Sequence, residues 1–145
     1  ELIVIKAEEK DISDIYQIGT VSFSDAWREE TIRNDMKGGH SCYFIAKLAK
    51  KVIGYGCFWF IADEAQLMNI GVLPEYRRMG AAEKILKQGL EEAAERHMEV
   101  IFLEVRVSNL PAQSLYRKYN FQTVSVRQDV YELPRENGYI MSRKV

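Results

Sequence analysis

The stretch from Ser41 to His97 limits the possible folds more than any other part of the chain. Up to Val72 it is dense in β-branched and aromatic residues, with a turn at Lys50-Lys51, which predicts three consecutive strands, over 42–48, 52–61 and 65–72, running as a meander. Ala81 to His97 then places Ala82, Ile85, Leu86, Leu90, Ala93 and Ala94 on one stripe with charge on the other side. That is an amphipathic helix, and its stripe has to be buried on the sheet.

The flanking segments extend this α/β pattern. Leu2 to Lys6 reads as a strand, and Asp11 offers an N-cap for a helix carrying Ile12, Ile15, Tyr16 and Ile18. A second helix is expected to begin near Asp25 or Trp27 and to stop at Gly38-Gly39, where two residues tolerate positive φ. Beyond the amphipathic helix, Val100 to Val107 reads as a strand and Pro111 to Tyr119 as a short helix. Gln122–Tyr131 and Tyr139–Lys144 then close the sheet, with a loop around Pro134 and Gly138 between them. No repeat, low-complexity tract or Pro/Gly/Ser-rich linker interrupts the sequence, so residues 1–145 are read as one domain.

Composition narrows the function classes. At 145 residues, with 47% hydrophobic and 28% charged, a chain of this size removes roughly 70% of its surface from water without a disulfide or metal framework. Cys42 and Cys57 lie in apolar runs without a C-x-x-C partner, and with only His40 and His97 besides, no cluster has zinc-ligand spacing; no metal is expected. Twenty basic against twenty-one acidic residues give a formal charge of −1, too little for a general field that would hold a nucleic-acid backbone. The longest apolar stretch, Val52 to Ala62, falls short of the about 20 residues that span a bilayer, and the first ten residues carry no basic n-region. The expectation is a cytoplasmic protein with no direct nucleic-acid or membrane partner.

The chemistry concentrates where the third meander strand runs into the amphipathic helix, Asn69-Ile-Gly-Val-Leu-Pro-Glu-Tyr-Arg-Arg-Met-Gly-Ala-Ala. A strand, a loop of small residues and a helix N-terminus make a site for anionic phosphates, because unpaired amides converge there with the positive end of the helix dipole. Gly80 and Ala82 let a ligand approach the backbone closely, and Arg77 and Arg78 add charge. The alternative is an ordinary helix start with a solvated arginine pair. The segment has neither the G-x-x-x-x-G-K-[ST] of a nucleotide-triphosphate loop nor a dinucleotide G-x-G-x-x-G. Glu104 lies in a strand of high apolar content, on the face it shares with Phe102 and Arg106. Partial desolvation there raises a carboxyl pKa toward the range of a general base. The alternative is a salt bridge to Arg106 or a neighbour.

The pattern Val72-x-Pro74-x-x-Arg77-Arg78-x-Gly80-x-Ala82 resembles the acetyl-CoA pyrophosphate loop of the GNAT N-acetyltransferase superfamily, and the order of elements resembles the GNAT fold nearly end to end. The resemblance implies a mixed, mostly antiparallel sheet of six to seven strands flanked by four helices. Asn69-Ile-Gly-Val, Leu103-Glu-Val-Arg-Val-Ser-Asn109 and Leu115-Tyr-x-x-Tyr-Asn-Phe121 more narrowly resemble the bacterial branch that acetylates the N-terminal alanine of a small-subunit ribosomal protein. Arg127 through Met141 is similar to that branch's C-terminal signature. Four places depart from the pattern: Ala26-Trp27-Arg28, Glu83 where a basic residue is common, the single tyrosine of Asp129-Val130-Tyr131, and Glu136-Asn137-Gly138.

Carried onto this sequence, the resemblance implies that Ile70, Gly71 and Val72 pair with the pantetheine amides as another strand would. It implies that Arg77 and Arg78 with Met79, Gly80, Ala81, Ala82 and Glu83 surround the pyrophosphate, mainly through main chain, and that Asn109 touches the co-substrate while also capping a helix. Glu104 becomes the base and Tyr116 the acid that protonates the departing CoA thiolate, whereas simple aromatic packing better suits Tyr119 and Phe121. The implied reaction is direct transfer of acetyl from acetyl-CoA to a protein N-terminal α-amine, on alanine of a ribosomal or other protein. A GNAT acting on a small amine or lysine side chain, or a CoA-binding domain without turnover, stays open.

Overall fold

In a computed structural model covering Glu1–Val145, seven strands form one sheet in the order β1-β2-β3-β4-β5-β7-β6. The strands are β1 (Leu2–Lys6), β2 (Ser41–Leu48), β3 (Lys51–Ile61), β4 (Glu64–Val72), β5 (Val100–Arg106), β6 (Gln122–Tyr131) and β7 (Glu136–Lys144). The helices are α1 (Ile12–Ser22), α2 (Glu29–Lys37), α3 (Ala81–Glu95) and α4 (Leu110–Lys118). Every neighbouring pair is antiparallel except β4–β5, which runs parallel because α3 crosses over between them. The mixed, mostly antiparallel sheet with four helices is therefore as expected.

The sheet separates two apolar cores. On one side α3 packs with Phe44, Phe58, Ile101 and Met141; on the other α1 and α2 cover Tyr43, Ile45, Tyr55 and Cys57. The seat of α3 depends on a missing side chain: a Cβ on Gly89 would lie 2.1 Å from Cζ of Phe58, which is fully buried. The buried face of α3 is accordingly Ala81, Ile85, Leu86, Gly89 and Ala93. Ala82 and Leu90 lie at its margin and Ala94 is exposed, so the apolar stripe read from sequence is rotated toward Ala81 and Gly89.

Several boundaries differ from expectation for local reasons. Asp11 stands at the N-cap position of α1 as expected, but its side chain makes no cap bond there; it closes a 3₁₀ turn, and its carboxylate accepts from the Glu8 amide at 2.8 Å. The second helix begins only at Glu29, with Arg28 at the cap and no side chain serving it, so Asp25 and Trp27 stay in the α1–α2 loop. Of Gly38-Gly39, only Gly39 takes positive φ, at 79°. The amphipathic helix ends at Glu95, because His97 turns to φ 60°. Strand β7 begins at Glu136, three residues early, and so includes Gly138.

The feature that creates a site is where β4 leaves β5. The parallel ladder holds only from Glu64↔Val100 to Leu67↔Leu103. Directly after it the β3–β4 register shifts, Cys57 facing Asn69 but Phe58 facing Leu67, so Met68 is an extra residue. A bulge bends its strand. From Asn69 to Val72, β4 stays paired with β3 while its other edge no longer pairs with β5.

Candidate active site

The splay opens a cavity of about 1050 Å³, lined from both diverging strands, from the N-terminus of α3, from α4 and from the α1–α2 loop. It brings together nearly all the residues singled out in the sequence. Ile70, Gly71 and Val72 form one wall; Arg77, Arg78, Gly80, Ala81, Ala82 and Glu83 form the floor at the helix start; Glu104, Asn109 and Tyr116 stand opposite. Met79 does not line it and is 47% exposed.

Local conformation explains the floor. Gly80 caps α3 at φ 84°, ψ 12°, a left-handed conformation that favours glycine, and a Cβ there would meet nothing within 4 Å. The amides of Ala81, Ala82 and Glu83 lie in the first turn, where no intrahelical acceptor exists. Arg78 also takes positive φ, at 68°, and the Arg77 guanidinium donates from Nε to the Val72 carbonyl at 3.2 Å, fastening the loop to the end of β4. Gly71 is small for a different reason: a Cβ there would lie 2.9 Å from Oγ of Ser22 on α1.

Glu83 is neutralised from α4. Its carboxylate accepts from Lys118 Nζ at 2.8 Å and from the Tyr119 hydroxyl, and these two bonds hold its pKa below the ordinary value. The acid at the helix start thus has its own counter-charge, and Tyr119 serves in this tie rather than in packing alone.

Glu104 does not pair with Arg106. Arg127 on β6 donates from Nη1 to its Oε1 at 3.3 Å, reaching across β7 where Gly138 lies opposite Arg127. A Cβ on Gly138 would come within 3.2 Å of Cγ of Glu104. Burial pushes the Glu104 carboxyl up, and the Arg127 charge partly offsets this. The other oxygen, Oε2, is buried without a hydrogen-bond partner, as are Oδ1 of Asn69 and Oγ of Ser22. All three of these residues line the cavity, so it offers buried polar atoms that can bond to a bound molecule.

Tyr116 is pushed up to about 12 by burial, and its ring meets Phe121 edge-on at 5.9 Å. Asn109 caps α4, accepting from the Ala112 amide at 3.2 Å. Sequence reasoning missed Arg127, Lys118, Ser22 and the orphaned Asn69 oxygen. Each reaches the site from a different strand or helix; Asn69 and Arg127 stand at the head of segments noted in the sequence, but what their side chains face depends on other elements.

Comparison with known proteins agrees with this geometry. The pattern of the Acetyltransferase (GNAT) family matches residues 10–121. The ribosomal protein bS18-alanine N-acetyltransferase of Haemophilus influenzae (strain ATCC 51907 / DSM 11121 / KW20 / Rd) is 30% identical over 145 residues, 97% of each chain. The N-alpha-acetyltransferase of Saccharolobus solfataricus (strain ATCC 35092 / DSM 1617 / JCM 11322 / P2) is 31% identical over 150 residues, covering 94% of this chain and 89% of that one. The crystal structure of the ribosomal-protein-S18-alanine N-acetyltransferase from Escherichia coli superposes with a TM-score of 0.92 at 27% identity, covering 100% of this chain and 94% of that one. The chain belongs to the GNAT family and is an acetyl-CoA-dependent N-acetyltransferase.

Proposed function

We propose that residues 1–145 act as one unit that transfers acetyl from acetyl-CoA to the N-terminal α-amine of a protein, alanine of a small-subunit ribosomal protein being the first candidate. Relatives named for acetylation of ribosomal protein bS18 alanine support that acceptor. The observation that carries the reading is that Glu104, Tyr116 and the start of α3 line one cavity opened by the β4–β5 splay.

The bound co-substrate supplies an activated thioester: the amine nitrogen forms a bond to its carbonyl carbon, the C–S bond breaks, and the amine's proton is balanced by one gained at sulfur. Amides from Ala81, Ala82 and Glu83 at the positive end of α3 hold the pyrophosphate, with charge from Arg77 and Arg78. The free edge of β4 at Ile70, Gly71 and Val72 aligns the pantetheine, and Asn109 fixes the opposite side. A backbone amide near the splay polarises the carbonyl. Glu104 takes the amine proton, directly or through water, at its unpartnered Oε2; its raised pKa makes it a better base than an exposed carboxylate.

Tyr116 stays protonated at neutral pH and can donate to sulfur. A phenol near 12 is a weaker acid than a thiol near 8.5 in water, but the burial that raises the phenol also raises the proton affinity of a thiolate in the same cavity. An α-amine of pKa about 7.7–8 keeps a neutral fraction that a lysine near 10.4 lacks, so it suits a carboxylate base.

The test is acetylation by the purified protein of a peptide beginning Ala-Arg, of its N-terminally blocked form with lysines intact, and of spermidine. The unblocked peptide should be modified and the other two should not. Efficient modification of the blocked peptide, or preference for spermidine, would overturn the acceptor assignment. Glu104→Gln should slow the peptide reaction about 10²–10⁴-fold with little change in acetyl-CoA affinity. Near-normal turnover would place the base elsewhere.

A further inference from the structure

Arg106 lies two residues beyond Glu104 on β5 and lines the same cavity, yet it forms no hydrogen bond or ion pair with the proposed base. Its guanidinium is committed elsewhere. Nη1 donates to the Pro134 carbonyl at 2.9 Å and to Oε1 of Glu136 at 3.1 Å. Nη2 donates to the Glu132 carbonyl at 3.1 Å and to Oγ of Ser24 at 3.3 Å. Ser24 in turn donates its hydroxyl proton to the same Glu132 carbonyl at 3.1 Å. The flat face of the guanidinium stacks over the Tyr131 ring, 4.5 Å from its centroid.

These contacts tie together two segments far apart in the chain: the α1–α2 loop, which contributes Phe23, Asp25 and Trp27 to the cavity wall, and the β6–β7 turn, whose first flank contributes Tyr131. Glu136 completes the tie, its second oxygen accepting from the Ser108 amide at 2.6 Å. The side chain of Arg106 is 23% exposed and that of Glu136 is 14% exposed, so the pair is screened less than a surface pair would be. A planar fork with five donors can bridge four acceptors and still present a face to an aromatic ring; an ammonium cannot.

We infer that Arg106 is the positioning residue for the acceptor: its fork joins the α1–α2 loop to the β6–β7 turn and so builds, before the acceptor arrives, the part of the cavity that the co-substrate's seat at the α3 start and the β4 edge leaves open, which we assign to the acceptor. The inference rests on the acetyl-transfer reading above and deepens it. Without the fork, the walls bearing Trp27 and Tyr131 would have to be ordered at the moment of binding, and that ordering entropy would come out of acceptor affinity. The cofactor end would be untouched, because Arg106 does not contact the α3 start.

The experiment uses the full chain, acetyl-CoA and whichever acceptor the wild type turns over fastest. A wrong acceptor class therefore shows in the wild type alone, whereas this inference is read from variant-to-wild-type ratios. Arg106→Gln should raise the acceptor KM roughly ten-fold or more, with kcat at saturating acceptor and the acetyl-CoA Kd within about two-fold of wild type. Arg106→Lys keeps the charge without the fork and should not restore KM. Ser24→Ala removes only the bridging hydroxyl and should raise KM in the same direction by a smaller factor; it also serves if the Arg106 variants fail to fold. An unchanged acceptor KM with activity lost only in proportion to the folded fraction would overturn the inference, as would rescue by lysine or an equal loss of acetyl-CoA affinity.

Discussion

Arg127 and Glu104 meet across a strand that belongs to neither. Arg127 is on β6, Glu104 on β5, and β7 runs between them, with Gly138 providing the passage. Because the Arg127 charge opposes the burial that raises the Glu104 carboxyl, removing it should let that pKa rise further. The base is active when deprotonated, so the acid limb of the kcat/KM profile should move to higher pH in Arg127→Ala. The loss should be greatest in acid and shrink as pH rises. Steady-state kinetics across that limb in both proteins decide this, and an unmoved limb would separate Arg127 from the base.

The left-handed cap at Gly80 makes a second prediction. The Cβ that Gly80→Val adds meets no protein atom within 4 Å, but the substitution forces a β-branched residue into φ 84°, at a cost of about 1–2 kcal/mol for the backbone alone. It also projects methyl groups where a pyrophosphate would approach the α3 amides. The folded variant should lose acetyl-CoA affinity in calorimetry. Unchanged affinity would mean the phosphates bind elsewhere.

The Glu83 tie to Lys118 and Tyr119 has a pH signature. The folded-state pKa of Glu83 is depressed below its ordinary 4.5, so the stability this carboxylate contributes is present above that value and is lost as pH falls through the depressed one. Glu83→Gln should therefore melt slightly below wild type at neutral pH, with the gap closing in acid. Thermal melts at several pH values measure it. A gap that persists at the acid end would rule out the ion pair as its source.

Gly89→Ala tests the seat of α3. A methyl at 2.1 Å from Cζ of Phe58 cannot be accommodated without moving a fully buried ring that packs edge-on against Phe44 at 5.9 Å. The overpacking should destabilise the protein by about 1–3 kcal/mol in urea titrations, despite the higher helix propensity of alanine. A stabilised variant would show that the α3–β3 contact can relax.

The elements were legible wherever one periodicity acted alone. The meander and α3 follow from alternation and from the helical stripe, and the strand–loop–helix junction from Gly80 and its flanking residues. What sequence misassigned depended on partners far away in the chain. Gly138 reads as a loop residue because glycine is a poor strand former, yet in the sheet it is the gap through which Arg127 reaches Glu104. A salt bridge from Glu104 to Arg106 or a neighbour is readable in the sequence, but not which: the partner is Arg127 on β6, while the carbonyls of Glu132 and Pro134 take the Arg106 fork. The α3 stripe keeps Ile85, Leu86 and Ala93, but its centre shifts toward Ala81 and Gly89, because Gly89 has no hydrophobicity to register although its smallness brings the helix onto Phe58.

The bulge at Met68 bears on how the chain is made. Strands β1 to β4 and helix α3 all precede β5, so during synthesis β4 has no neighbour on one side until α3 has emerged and crossed over. The β4–β5 seam also closes a longer loop than the β3–β4 hairpin beside it, which delays its pairing relative to that hairpin. For that interval the outer edge of β4 is a row of unpaired backbone groups, the kind of edge that other nascent chains can extend. A bent edge is a poor template. The distortion that opens the cavity in the finished enzyme thus also protects the half-made one from pairing with the wrong strand.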